Sequence, residues 1–143
     1  VALLLRGAFA TWQAHESDLT RVESGQATVR HLVRRIRQSQ SVVSVSAPAT
    51  TAGTLALLMP SGDTYVWARN SGTNQVLFGV GSATDLLAEN ISELSFECFG
   101  ADGTTATTVV DEIQLIRCTA KVDLPGNAVG SRTITCNGWI RSW

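Results

Sequence analysis

The first 47 residues contain no proline, and this feature restricts the fold most strongly, since the first proline is Pro48. Nothing in the backbone therefore forbids a helix over this span. Mostly apolar positions also recur every seven residues in two neighbouring rows, which predict one long amphipathic helix over residues 1–43. The rows contain Ala8, His15, Val22, Val29, Ile36 and Val43, and Leu5, Trp12, Leu19, Gln26 and Val33.

The predicted helix is long for a chain of 143 residues. At about 1.5 Å per residue it would extend roughly 60 Å, and a domain formed by the remaining residues would cover about half of it. We therefore expect Phe9, Trp12 and Leu19 in the first half to be exposed or to contact another molecule. The alternative is a helical hairpin broken at Gly25. An interior glycine costs only about 1 kcal/mol, and the seven-residue spacing continues through it.

After Pro48 the sequence changes to short strands separated by turns. Strands are predicted at 54–59, 64–70, 75–80, 91–99, 111–124 and 131–141, and 82–90 is predicted to be a short helical turn or a crossing connection. A long helix followed by an antiparallel β-meander belongs to the α+β class. We expect one domain, with the helix at 1–43 and a β-rich globular part at 44–143.

Composition limits the classes of function. Hydrophobic residues form 44% of the chain and charged residues 16%, which excludes intrinsic disorder. The net charge of -1 lacks the basic excess of proteins that bind phosphates of nucleic acid, so we expect no nucleic-acid partner. The apolar start VALLL is too short to span a membrane, which takes roughly 20 residues. Because the chain begins without methionine, we expect a membrane anchor or signal to precede it.

The three cysteines, Cys98, Cys118 and Cys136, are too widely spaced for a paired zinc motif. If the last hairpin sets Asp123 opposite Ser131, Cys118 lies directly opposite Cys136 on the apolar face. A cross-strand disulfide, which would indicate an oxidising compartment, is one expectation, and two buried thiols are the alternative. Cys98 is expected to be a core residue too distant to join them.

No catalytic motif is recognisable. Cys98 and His31 could act as a nucleophile and base only if the fold joins them, and no glycine-rich elbow or acidic partner marks such a pair. Asp102 lies in the hydroxyl-rich loop 100–110, which lacks the repeated acids of a calcium loop. We therefore predict a non-enzymatic protein with no cofactor, no metal and no small-molecule substrate. A hydrolase that uses Cys98 is the alternative.

Arginines are concentrated near the end of the predicted helix. Arg30, Arg34 and Arg37 have the i, i+4, i+7 spacing of a single stripe. The acidic residues Glu16, Asp18 and Glu23 lie earlier in the same helix. An ordinary solvated face explains this pattern. The alternative is that neighbouring copies or related helices stagger along one another, with the acids of one helix against the arginines of the next.

Four segments carry a resemblance to a known family. In chain order they are LLLRGAFATWQAHESDLTRVESGQATVRHLVRRIRQSQSVV, LLAENISELSFECFGADG, DEIQLIRCTAKVDL and TITCNGWIRSW. This succession of a hydrophobic helix, hairpins and closing strands resembles the type IV prepilin-like proteins, above all the J-type minor pseudopilins of type II secretion and the related W-type minor pilins. The basic leader, the cleaved glycine and the early glutamate of that family are not in this sequence. Residues 1–5 would be the tail of its hydrophobic helix.

The resemblance implies a pilin-like fold and a structural subunit of a periplasmic pseudopilus. Such a protein has a methylated N-terminus and is anchored in the bacterial inner membrane before assembly. Its partners would be other minor pseudopilins or pilins. The helix surface expected to bind them consists of Phe9, Trp12, Leu19, Arg30, Arg34 and Arg37. A minor pilin of a type IV pilus, acting in adhesion, motility or DNA uptake, is the alternative. No catalytic, cofactor-binding or metal-binding residue carries over.

Overall fold

One helix and eight strands make up the fold. The computed structural model describes residues 2–124 and 130–140, with the side chains of residues 16–124 and 130–140 and, before them, those of Ala8, Trp12 and Gln13. The elements are α1 (Ala2–Gln38), β1 (Ser41–Val45), β2 (Thr54–Leu58), β3 (Thr64–Asn70), β4 (Gln75–Val80), β5 (Asp85–Ala88), β6 (Ile91–Phe99), β7 (Leu115–Asp123) and β8 (Ser131–Trp139), with a 3₁₀ helix at Val110–Glu112. The α+β class is confirmed, and the helical hairpin is wrong because α1 runs through Gly25 without a break.

The strands form two antiparallel sheets rather than a single meander. The first has the order β1-β2-β3-β4-β5 and the second the order β6-β7-β8. They are joined where Ala52 forms a parallel bridge with Leu94 and the Gly53 amide donates to the Leu94 carbonyl at 2.8 Å. A Cβ atom on Gly53 would lie 2.4 Å from that carbonyl oxygen, so only glycine allows this approach of the two backbones.

The helix ends at Gln38, earlier than the predicted boundary at residue 43. After it, the Ser39 hydroxyl donates to the Ile36 carbonyl at 2.6 Å, and the Gln40 amide donates to the Leu58 carbonyl at 2.8 Å. The next residues form β1, so Val43 is an exposed strand residue and not the last member of a helical row. Pairing with β2 thus overrides a spacing that also fits a helix.

The predicted helical turn at 82–90 is also wrong. Residues Asp85–Ala88 form β5, which pairs with β4 and sets Leu86 opposite Leu77. Edge pairing with β4 satisfies one side of the backbone of this short segment. The partner strand lies outside the segment itself, so local propensity does not reveal the pairing.

The core lies between the second half of α1 and the two sheets. Val29, Leu32 and Ile36 of the helix are completely buried. The helix contacts β7 and β8 of the second sheet and β5 of the first. The largest fully buried side chains elsewhere are Trp67, Phe96, Leu55, Leu57, Ile91, Leu94, Ile116, Val76 and Val122. No helix in the described part of the chain is long and apolar enough to cross a membrane.

Candidate interaction surface

Among the described side chains of α1, the sheets cover mainly those in the second half of the helix. Two hydrogen bonds join the middle of the helix to the sheets: Arg21 donates to the Asp123 carbonyl at 3.5 Å, and Ser24 donates to the Glu89 carbonyl at 3.2 Å. Gly25, one residue later, is buried. Before these contacts, most of the described side chains are exposed. The helix therefore extends beyond its own domain toward its N-terminus.

Two large apolar residues lie on this uncovered part. Trp12 is 57% exposed and Leu19 is 50% exposed, as expected from the length of the helix. Phe9, the third residue of the predicted surface, has a side chain outside the described ones. Apolar residues of this size on a protruding helix give it a surface that favours contact with another molecule.

The predicted arginine stripe lines a groove at the other end of α1. Arg30, Arg34 and Arg37 are all exposed. Together with Val33, Gln38 and Cys136 they line a space of about 600 Å³, which we call the arginine groove. Within residues 2–124 and 130–140 the ion pairs join Arg117 to Glu97 and Lys121 to Glu93. The guanidinium groups of the groove take part in neither pair.

Sequence reasoning missed an aromatic cluster under the helix. The Trp67 indole donates a hydrogen bond to His31 Nδ1 at 3.2 Å, and the Phe78 ring lies 4.9 Å from the His31 ring. Burial lowers the pKa of His31, and the positive charges of Arg35 and Arg34 lower it further. The neutral imidazole therefore accepts a hydrogen bond and holds the helix against the first sheet. The only signal in the sequence was the aromatic alternation in β3, which does not identify its partner on α1.

The cysteines occupy one face of the second sheet. Cys118 lies directly opposite Cys136, which confirms the predicted register, and all three thiols are unbonded in the structure. The disulfide therefore stays a prediction. Cys98 is buried, as expected, and it lies directly opposite neither of the other two cysteines. Cys98 pairs with Ile116, two residues from Cys118 on the same buried face, so the two thiols are diagonal neighbours.

The surroundings of these thiols favour the neutral form. Burial and then the charge of Glu97 raise the pKa of Cys98 to about 11. Burial also raises the pKa of Cys118, with smaller contributions from the Cys98 and Cys136 thiols. A nucleophilic cysteine needs the thiolate, which an adjacent base or cation stabilises. His31 accepts the indole hydrogen bond at its Nδ1, so it has no spare acceptor there to activate Cys98.

The loop at residues 100–110 is held together by hydrogen bonds to the carboxylate of Asp102. Asp102 accepts hydrogen bonds from the amides of Thr104 and Thr105 and from the Thr105 hydroxyl, and these bonds lower its pKa. Its oxygens are thus used in shaping the loop. Across the described ranges, no group of three or more His, Cys, Asp or Glu side chains has the arrangement of a metal site.

The geometry thus defines a class of structure, a two-sheet α+β domain with a protruding helix. Comparison of the chain with protein-family models, with curated proteins and with solved structures gives no match.

Proposed function

We propose that this chain is a non-enzymatic structural subunit of a filament, a minor pseudopilin of a type II secretion system that assembles through its N-terminal helix. The globular part would lie in the periplasm, and the protein would be anchored in the bacterial inner membrane before assembly. Its partners would be other pseudopilins. This proposal also covers the finer description of the fold as pilin-like.

The observation that carries the proposal is the uncovered half of α1. If the helix served only the core of its own domain, the buried part would be sufficient, in which Val29, Leu32 and Ile36 pack on the sheets. The preceding turns of the helix carry Trp12 and Leu19 on their exposed surface. Burial of these two side chains on assembly would offset the entropy cost of ordering those turns. An order of one long helix followed by antiparallel sheets also agrees with the sequence resemblance.

Complementation of a gene deletion tests the proposal. We expect loss of the gene to stop secretion through the pathway, and Trp12→Ser with Leu19→Ser to fail to restore it. The doubly substituted protein should keep its Tm within about 2 °C, because exposed apolar side chains contribute little to stability. Matched controls are Trp139→Ser and Leu86→Ser, which replace side chains 51% and 54% exposed on the strands. These controls should restore secretion.

The alternative, a minor pilin, predicts a different phenotype from the same deletion. Loss of adhesion, motility or DNA uptake with normal secretion would favour the pilus and refute the secretion role. A large fall in Tm on substituting Trp12 and Leu19 would refute both, because it would show that the helix surface belongs to a core of this chain.

A further inference from the structure

The last strand, β8, forms an open edge of the second sheet. The order of that sheet is β6-β7-β8, and within residues 2–124 and 130–140 no other strand pairs with β8. Its nine residues pair with β7 in one continuous register, without a bulge. The strand contains no proline and no lysine, two residues that commonly prevent pairing at an edge. The edge of β8 can therefore accept a further strand.

Two hydrogen bonds show which backbone groups of β8 face this open edge. The Leu124 amide donates to the Gly130 carbonyl at 3.0 Å, and the Ile140 amide donates to the Gln114 carbonyl at 2.8 Å. Both bonds continue the register of the β7–β8 ladder, and hydrogen-bonded pairs recur at every second residue of an antiparallel ladder. The even-numbered residues of β8 therefore bond to β7. The residues whose amide and carbonyl groups point outward are Ser131, Thr133, Thr135, Asn137 and Trp139.

The arginine groove lies beside this edge, on the inner face of the sheet. Cys136 of β8 lines it together with the three arginines of α1. On the opposite flank of the helix, His31 contacts the aromatic cluster of the first sheet. The first sheet joins the second at Leu94 of β6, which is the far edge from β8. The groove therefore opens outward past the edge of β8.

A strand added to β8 would place every second side chain in the arginine groove. In an antiparallel pair, residues directly opposite each other point to the same face of the sheet. Residues opposite Ile134, Cys136 and Gly138 would thus point toward α1, where these three residues lie against the helix or the groove. Alternate residues of a strand are about 6.6 Å apart, and seven residues of a helix span about 10.5 Å. The long arginine side chains can therefore reach three successive inward side chains.

The charge of the groove favours acidic side chains at those inward positions. The three arginines are exposed, and no acidic residue is among the described side chains that line the groove. Arg132, on the same face of β8, is exposed as well. A second copy of β8 would bring its own Arg132 toward these arginines, and like charges repel. Carboxylates would instead form charge-assisted hydrogen bonds with the guanidinium groups.

We infer that β8 binds an extended acidic segment of a partner protein, which joins the second sheet as a further strand. The backbone of this segment bonds to the outward amides and carbonyls of β8 and supplies affinity. Its acidic side chains, at alternate positions, pair with Arg30, Arg34 and Arg37 and supply specificity. This surface includes neither Trp12 nor Leu19, so the inference does not depend on the proposed filament role.

A blocked synthetic peptide in which three glutamates alternate with threonines tests the binding. Calorimetric titration of the full chain at low salt should give a Kd below about 1 mM, and high salt should raise it at least about tenfold. A peptide with lysine in place of glutamate should not bind. A peptide of the same composition with its glutamates adjacent to one another should bind at least about tenfold more weakly. Absence of binding by the alternating peptide at millimolar concentration would overturn the inference.

Methylation of single peptide amides separates strand pairing from charge attraction. In the bound strand the threonine amides point toward β8 and the glutamate amides point away from it. Methylation of a central threonine amide should therefore weaken binding at least about tenfold, whereas methylation of a central glutamate amide should change it by less than about threefold. Equal losses would show that the arginines attract an acidic chain without strand pairing, and this result would refute the proposed geometry.

Substitutions in the protein test both parts of the surface. Arg30→Gln with Arg37→Gln should weaken binding of the alternating peptide at least about tenfold. The control is Ser71→Glu with Thr84→Glu, which lowers the net charge by the same amount at exposed positions in loops of the first sheet and should change binding by less than about threefold. Thr135→Pro removes an outward amide and should abolish binding, whereas Thr135→Val keeps that amide and should bind normally. Equal losses in the two charge variants, or full binding by Thr135→Pro, would contradict the inference.

Hydrogen exchange of the full chain locates the added strand. Addition of the alternating peptide should protect the amides of Thr133, Thr135 and Asn137, whose hydrogens point outward. The amides of Ile134 and Cys136 already bond to β7, so their exchange should change little. Protection confined to β1 or β5 would place the peptide on another edge and overturn the inference. Self-association that protects the outward amides of β8, without peptide binding, would overturn it in favour of a second copy.

Discussion

Gly25 packs against the second sheet, so adding one methyl group there tests the packing of the helix directly. A Cβ atom at this position would lie 2.8 Å from Ile134 Cδ1 and 3.1 Å from Val122 Cγ1. Carbon atoms in van der Waals contact are about 3.5–4.0 Å apart. The end of the half-buried Ile134 side chain can rotate away. Val122 is completely buried and branched at Cβ, so it has little freedom to move.

Two opposing effects decide the sign of Gly25→Ala. Replacing an interior helix glycine by alanine gains about 1 kcal/mol of helix propensity. Overpacking a filled interface costs about 1–3 kcal/mol. Since one of the two neighbours cannot yield, we expect a net destabilisation of about 1 kcal/mol, or a Tm lower by about 2–4 °C for a chain of this size. Gly25→Val adds further bulk against the same atoms and should cost about 3 kcal/mol.

Urea unfolding of the full chain measures these changes as shifts of the midpoint at a constant m-value. The control is Ala27→Gly, at an exposed position of the same helix, which should lose about 1 kcal/mol from propensity alone. If Gly25→Ala instead stabilises the protein by about 1 kcal/mol, the gain expected from helix propensity alone, the new methyl group makes no close contact. The helix would then lie farther from β7 and β8 than the structure places it.

Three further predictions concern stability and redox state. Leu32→Ala should cost about 2–5 kcal/mol and Leu19→Ala less than about 0.5 kcal/mol in urea unfolding, because only Leu32 is buried; similar losses would contradict the protrusion of the helix. The folded-state pKa of His31 lies below its ordinary value, so the unfolded chain takes up the proton first as pH falls. The contribution of His31 to stability should therefore be fully present above about pH 6.5 and decline below it. His31→Gln should make the urea midpoint fall less steeply with decreasing pH; an equally steep fall in both proteins would refute this role of His31. Non-reducing mass mapping after folding under oxidising conditions should show a link between Cys118 and Cys136, and two free thiols would reject it.

Local signals predicted much of the fold. Alternation and a turn sequence located β3 and β4 at Thr64–Asn70 and Gln75–Val80, with the same bounds in the structure. The last hairpin was also predicted in register, with Asp123 opposite Ser131. In each case the residues that fix the element lie within or beside it. The exposure of Trp12 followed from the length of the helix alone.

Other features depend on partners that are distant in the sequence. The edge strand β5 forms because β4 offers a free edge, although the segment DLLA by itself fits a helical turn. The position of Cys98 depends on the register between β6 and β7. A loop and a 3₁₀ helix connect these two strands, so there is no short turn whose length would predict the register. The arginine groove likewise required the position of Cys136 beside the helix. Periodicity places residues on faces, but it does not identify what covers each face.

The two rows of α1 have the same seven-residue spacing but differ in how their residues are buried along the helix. In the first row Val29 and Ile36 are completely buried against the sheets. The second row changes along the helix, since Leu19 is 50% exposed and Val33 is 9% exposed. Seven residues fall about 20° short of two full turns, so this row drifts toward the domain at the same time as the sheets begin to cover it. The row that is exposed at Leu19 therefore reaches the arginine groove two heptads later, at Val33. The same seven-residue spacing thus supplies core residues in the second half of α1 and an exposed apolar residue, Leu19, before it.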